Sequence, residues 1–447
     1  MVRLISFFTA VLLVVPLTLS VQKGESFAQM VQSSAGSLTQ AEKEEEMELP
    51  AIPEVRPGLL PELLKKTRIT AFLVGSFSFN SHLQMIPEFA GGIPAKADPG
   101  RTNFRFDKFG LGFTTTFAPW LSASGTIEVE SERKFAFEDE EFEREEETGV
   151  SLEKFNLTAI APIGNGLALS IGRFDVPFGI EREDEVLILT ATTSEVFRFG
   201  RPNLMTGFQA SYTFTPWLDV SAWVVNRWEN EITGEEDFND NNRDKSFGGR
   251  IGFTPFPREG LLNIGIGGFY GLEQEDRNSP KRWVIDLDFT WTPLPQLLFA
   301  GEFIYGGEDG RAFEEIGGPI AAPEGMKNVN WRGFYLLTHY DISNWLGFSF
   351  RYGLFDDMDG GRTGVKQVLQ SWTFAPILHL SRLIPELRPT GAVYARTRHP
   401  IDWVDLKIEY RLNHSNKPVF SDQEPGVAIL EANKTSHQVE LQLVVNF

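Results

Sequence analysis

From Arg68 to the C-terminus, apolar and polar residues alternate with a period of two. In the last run, Val439, Leu441, Leu443, Val445 and Phe447 fall on one face. Gln438, Glu440, Gln442 and Asn446 fall on the other, and Val444 breaks the pattern. Between Trp403 and Asn413, Val404, Leu406, Ile408, Tyr410 and Leu412 oppose Asp405, Lys407, Glu409, Arg411 and Asn413. Trp283 to Trp291 and Leu346 to Leu354 read the same way. Successive side chains of a strand point to opposite faces, so each run predicts a strand with one apolar and one polar face. The runs are about 9 to 14 residues long, longer than the usual 5 or 6 and suited to strands tilted across a membrane.

Short turns punctuate the runs at Ala118-Pro119-Trp120, 162–166, Thr215-Pro216-Trp217, 255–260, 292–295 and Ser343-Asn344-Trp345, with a longer one between Arg382 and Asp402. Long polar connections lie near 80–102, 131–149, 176–203, 229–244, 273–280, 307–327, 356–364 and 414–435. Seven short and eight long connections join sixteen strands. Fourteen or eighteen stay open, because Pro376, Pro385, Pro389 and Pro400 blur 376–402. An even count puts both termini on the short-turn side. Trp120, Trp217, Trp291, Trp345 and Trp403 sit at short-turn strand ends, the place of an interfacial aromatic girdle. In hydrocarbon every backbone polar group must be paired, so such strands must close on themselves. The expected fold is an all-β, transmembrane, antiparallel up-and-down barrel over 68–447.

The 447-residue chain carries a formal net charge of −20 and no cysteine. The acid excess argues against nucleic-acid binding, which needs a basic face. The missing cysteine excludes disulfides, thiolate metal sites and a lipid anchor on Cys. Arg3, the apolar run Leu4 to Leu19 and Ser26-Phe27-Ala28 read as a signal peptide over 1–28; Pro16 and the short run disfavour a membrane anchor. Residues 29–67 hold Glu42, Glu44, Glu45, Glu46 and Glu48, then Pro50, Pro53, Pro57 and Pro61. That composition predicts a linker, or a segment that plugs the pore.

Three segments resemble the OmpL-like beta-barrel porin family of bacterial outer membranes: Gly172-Arg173-Phe174-Asp175-Val176-Pro177-Phe178-Gly179-Ile180-Glu181, Val224 to Asn230, and Leu406 to Asn416. Arg227 stands where a glycine is expected before Trp228, and 376–402 reads as an insertion. The resemblance implies an outer-membrane channel for small polar solutes or ions, set among outer-membrane lipid and lipopolysaccharide. It also implies that the strand ending on Phe447 is the signal read by the barrel-assembly machinery. Trimers are common among porins of this size; the sequence leaves this open, with Gly265, Gly267 and Gly268 as hints of a lipid-poor contact face.

Sixteen strands leave room for an aqueous channel, with selectivity set by lumen charge. Strand parity puts Glu128, Glu130, Asp286, Asp288, Glu302, Asp405, Glu409 and Glu440 in the lumen, against Arg250, Arg332, Arg351, Lys407 and Arg411. The bias is mildly towards cations. Residues 176–203, with Glu181, Arg182, Glu183, Asp184 and Glu185, the apolar run Val186 to Leu189, then Arg198 and Arg201, are the candidate constriction loop; an exposed lid is the alternative. The acidic run Glu138 to Glu147 reads as a solvated loop or a gatherer of divalent cations. Asn239 to Asp244 lacks the glycine and distal glutamate of a calcium loop. The six histidines form no HExxH, and neither GxSxG nor a P-loop occurs. No enzyme, cofactor or metal site is expected. Three functions stay open: a general porin, a substrate-specific channel, and a non-conducting barrel that sheaths a periplasmic or exported partner.

Overall fold

The computed structural model describes residues 65–84, 100–138, 141–230, 244–256, 262–273, 281–313, 325–387, 402–421 and 432–447, without side chains at 132–147 and 311–326. Residues 1–28, nearly all of 29–67 and the Asn239 segment lie outside this description. Sixteen strands form the barrel. They are β1 (Thr67–Asn80), β2 (Thr102–Ala118), β3 (Leu121–Glu138), β4 (Glu141–Ala161), β5 (Leu167–Asp175), β6 (Leu204–Thr215), β7 (Leu218–Val225) and β8 (Ser246–Phe253). There follow β9 (Leu262–Leu272), β10 (Lys281–Leu294), β11 (Leu297–Phe313), β12 (Gly325–Asp341), β13 (Leu346–Asp357), β14 (Gln367–His379), β15 (Val404–Ser415) and β16 (Thr435–Asn446). Each pairs antiparallel with its sequence neighbours, and β1 closes on β16 from Phe72↔Asn446 to Asn80↔Gln438.

The alternation that builds the strands also orients them. Ile171, Ile251, Ile266, Ile285 and Leu336 are exposed on the outside, while Asp286, Arg351, Asp405, Lys407 and Glu409 are buried inside. Val444, the apolar intruder of the last strand, faces inward. It packs with Phe72, Val74 and Val186.

Two expectations need correction, and the ambiguity at 376–402 is settled in favour of sixteen strands. The stretch 131–149 is not a long loop. β3 and β4 stay paired through Ser131↔Thr148 to Glu138↔Glu141, and no glycine or proline between 131 and 148 interrupts them. Among its described residues the stretch 376–402 adds no strand to the sixteen, which is the count the spacing of turns gives. Pro376 lies within β14, and Leu380–Leu383 makes a helical turn directly after that strand. Gly265 and Gly267 do not mark an outer contact face, because both point inward. A Cβ on Gly267 would lie 2.6 Å from Cβ of Phe178, and one on Gly265 would strike Arg250 and Asp288.

Candidate functional site

The site is built around residues 176–203, which leave β5 and return at β6. The Val176 N–H donates to the Asn203 carbonyl at 3.0 Å, closing the neck. Beyond it the loop enters the barrel. Gly179 takes φ 72°, open to glycine at little cost, and its N–H donates to Asp288 at 3.3 Å. Glu302 on β11 accepts from the Ile180 N–H at 3.0 Å, from Arg201 Nε at 2.6 Å and from the Tyr335 hydroxyl at 3.1 Å. One carboxylate therefore holds both legs of the loop.

The crown of the loop is gripped from the far wall. Arg351 on β13 donates to Glu181 Oε1 at 2.5 Å and to the Thr192 carbonyl at 2.6 Å. Glu409 on β15 accepts from the Ala191 N–H at 2.7 Å and the Thr192 hydroxyl at 2.5 Å. Lys407 donates to the Glu185 and Thr190 carbonyls, and Arg411 pairs with Glu195. Lys154 on β4 reaches Asp184 at 2.8 Å. Neutralised pairs of this kind remain buried because each charge has a partner and further hydrogen bonds.

Of the predicted pore-lining residues, Asp286, Asp288, Glu302, Arg351, Lys407, Glu409 and Arg411 are inward and buried against the loop, and Glu128, Glu130 and Arg250 are also inward. Glu128 and Glu130 meet Lys108 at 2.7 and 3.5 Å, and Arg250 meets Asp288 at 2.9 Å. Most of these charges thus anchor the loop or one another. Arg332 is different. It lies on the outer face, its side chain 55% exposed, paired across strands with Asp356 at 3.0 Å. Trp331 is the inward neighbour that sets this parity.

The loop also packs apolar surface into the lumen. Phe178, Leu189, Val196 and Phe199 join Trp223, Trp228, Trp331, Tyr335 and Phe355 in one buried cluster. Trp331 Nε1 donates to the Gly200 carbonyl at 2.9 Å. Sequence parity missed these inner aromatics, which by composition match membrane-facing positions. It also missed Lys108 and Lys154. Two bulges explain this: Asp107 is the extra residue between the Val74↔Lys108 and Gly75↔Phe106 pairs, and Glu153 between the Thr126↔Lys154 and Ile127↔Leu152 pairs. Each bulge turns two adjacent charged residues inward, and all four are buried.

Lys108, Glu128, Glu153, Lys154 and Asp175 meet the acidic tip of the loop. Burial, with repulsion from Glu153, pushes the Glu183 carboxyl up to about 8. Burial also works to raise Asp184, but Lys154 outweighs it and holds that carboxyl below its ordinary range. On the opposite leg, burial and the neighbouring Arg411 push Arg198 down to about 9. Among the described residues no three His, Cys, Asp or Glu are arranged to hold a metal ion.

A loop-filled sixteen-strand barrel is the setting for the comparisons with known proteins. Residues 128–446 match the family model described as "Putative beta-barrel porin-2, OmpL-like". The chain belongs to this porin family. A search of curated proteins returns no match. Among solved structures, the porin is similar to the outer membrane channel DcaP of Acinetobacter baumannii, at 12% identity and TM-score 0.52, over 85% of this chain and 97% of that one. It is similar also to an anion-selective porin from Comamonas acidovorans, at 11% identity and TM-score 0.51, over 85% and 99%. At such identities the likeness establishes the shared fold. With its family and its barrel, the porin is an outer-membrane channel protein.

Proposed function

We propose that this porin passes small polar solutes and ions by passive diffusion, with a mild cation preference, and that residues 176–203 form its constriction. The observation that carries this is the loop drawn across the lumen by Glu302, Arg351 and Glu409. The cation preference is supported by the acids at the loop tip and adjoining wall, Glu130, Glu153, Asp175, Asp184 and Glu185, against Lys108 and Lys154. Partly buried charges of one sign set the potential a permeating ion meets. On this reading residues 1–28 export the chain, the final strand with Phe447 guides its assembly, and no enzymatic step is involved.

The test is single-channel conductance of the full chain in a planar bilayer, with reversal potential under a KCl gradient. A steady current that reverses towards the potassium potential is expected. Absence of current from protein shown to be folded by heat-shifted gel mobility would overturn the proposal. Current that reverses towards the chloride potential would overturn the selectivity alone.

A further inference from the structure

The inner wall has two halves that differ in how far the loop covers them. On β12 to β16 the inward side chains are charged, apolar or polar, and the neutral polar ones such as Ser349, Ser371, Thr373 and Gln442 are fully buried, with Ser371 and Gln442 bonded to the 176–203 loop at Glu195 and Ala191. On the short-turn halves of β3 to β6 six neutral polar side chains are only half-buried, Ser124, Asn156, Thr158, Ser170, Gln209 and Ser211, beside the apolar pair Ile160 and Ala168. These six are neighbours by strand register, through Ser124↔Asn156, Thr158↔Ser170 and Ser170↔Gln209. Ser124 Oγ donates to Asn156 Oδ1 at 3.1 Å, the Thr158 and Ser170 hydroxyls are 2.8 Å apart, and Gln209 Nε2 donates to Ser211 Oγ at 3.1 Å. Hydroxyl and amide groups have further donors and acceptors beyond these bonds. Rows of register neighbours run perpendicular to strands that tilt by roughly 35–45° in a barrel, so the patch climbs the pore axis as a slanted track. Past β7 the wall reaches Arg250, which lies 3.7 Å from Asp219 and 2.9 Å from Asp288 and is thereby neutralised.

We propose that this track binds uncharged, polyhydroxylated solutes such as sugars and polyols as they cross the short-turn half of the lumen. The inference rests on the porin reading. An ion gains little from this wall, because none of the six residues can balance its charge and shedding its hydration is costly. A hydroxyl-rich neutral solute exchanges water hydrogen bonds for equivalent ones along the row. Neighbouring strands lie about 4.8 Å apart, comparable to the span between hydroxyls on opposite sides of a six-membered sugar ring.

The test reconstitutes the full chain in liposomes and compares swelling in glucose with swelling in gluconate, alongside KCl conductance in bilayers. The wild type should favour glucose. Combining Thr158→Val, Ser170→Ala and Ser211→Ala should slow glucose entry roughly three- to tenfold through lost hydrogen bonds and leave KCl conductance in place. Thr158→Ser alone should retain glucose entry, and heat-shifted gel mobility verifies each barrel. Glucose and KCl permeation falling in proportion, or unchanged glucose entry in the triple variant, would overturn the inference. So would a wild type that conducts KCl but does not favour glucose, and that outcome leaves the porin reading standing. A folded wild type that passes neither KCl nor glucose overturns both.

Discussion

Glu302 fastens the two legs of the lumen loop at one point, so its removal should release the loop while sparing the barrel. In Glu302→Ala, Arg201, at 0% exposure, loses its carboxylate, and the Tyr335 hydroxyl and Ile180 N–H lose their acceptor. Breaking a buried pair by deleting one partner costs about 3–5 kcal/mol, since the other charge stays buried without compensation. Borne by the docked loop, this lowers its docked-to-free ratio by roughly two to three and a half powers of ten. The strand ladders remain in place. Single-channel records should show frequent excursions to a higher conductance, and trypsin should cut at Arg182 or Arg198 far faster than in wild type. Glu302→Gln, which keeps an acceptor but not the charge, should fall between the two. A folded Glu302→Ala barrel with wild-type current noise and wild-type trypsin resistance would refute the role given to this carboxylate.

The raised Glu183 carboxyl makes the loop pH-sensitive. The docked loop holds this proton from the ordinary carboxylate range up to about 8, so docking weakens as pH rises through that window and levels off above it. Potassium preference should increase through pH 8 as the charge appears, and Glu183→Gln should abolish the inflection in reversal potential. Gly267→Val would drive a side chain into Phe178. It should cost about 1–3 kcal/mol by overpacking, seen as earlier thermal unfolding on gels and a noisier open channel. Arg332→Ala removes an exposed outer pair. It should change stability by no more than about 1 kcal/mol and leave reversal potential unchanged; a shifted reversal potential would place Arg332 in the conduction path.

The barrel was legible because membrane and water impose opposite demands on alternate residues. Trp283, Ile285 and Leu287 against Asp286 and Asp288 suffice to assign both faces of β10. The lumen was legible only in part. Parity finds Glu302 and Arg351, but their partners Arg201 and Glu181 lie 101 and 170 residues away, and no local pattern links such positions. Trp331 and Phe355 were obscured for another reason. An apolar residue that faces an apolar loop inside looks the same in sequence as one that faces lipid outside. Lys108 and Lys154 follow bulges, where a period of two fails for one residue, and strict alternation then assigns the next residue to the wrong face.

The seam between the first and last strands bears on how the molecule is made. Val186 is held by Phe72 and Val74 of β1 and by Val444 of β16, and Gln442 of β16 donates to the Ala191 carbonyl at 3.5 Å. These contacts exist together only once β1 has met β16. The final strand therefore both closes the sheet and contributes to the loop's seat. The apolar seat for Val186 is complete only in the closed sheet, so the loop reaches its full set of contacts on this side only when the two edges are paired. Barrel closure and loop burial therefore reinforce one another, and a chain that mispositions its loop loses apolar contact at the joint that completes the cylinder.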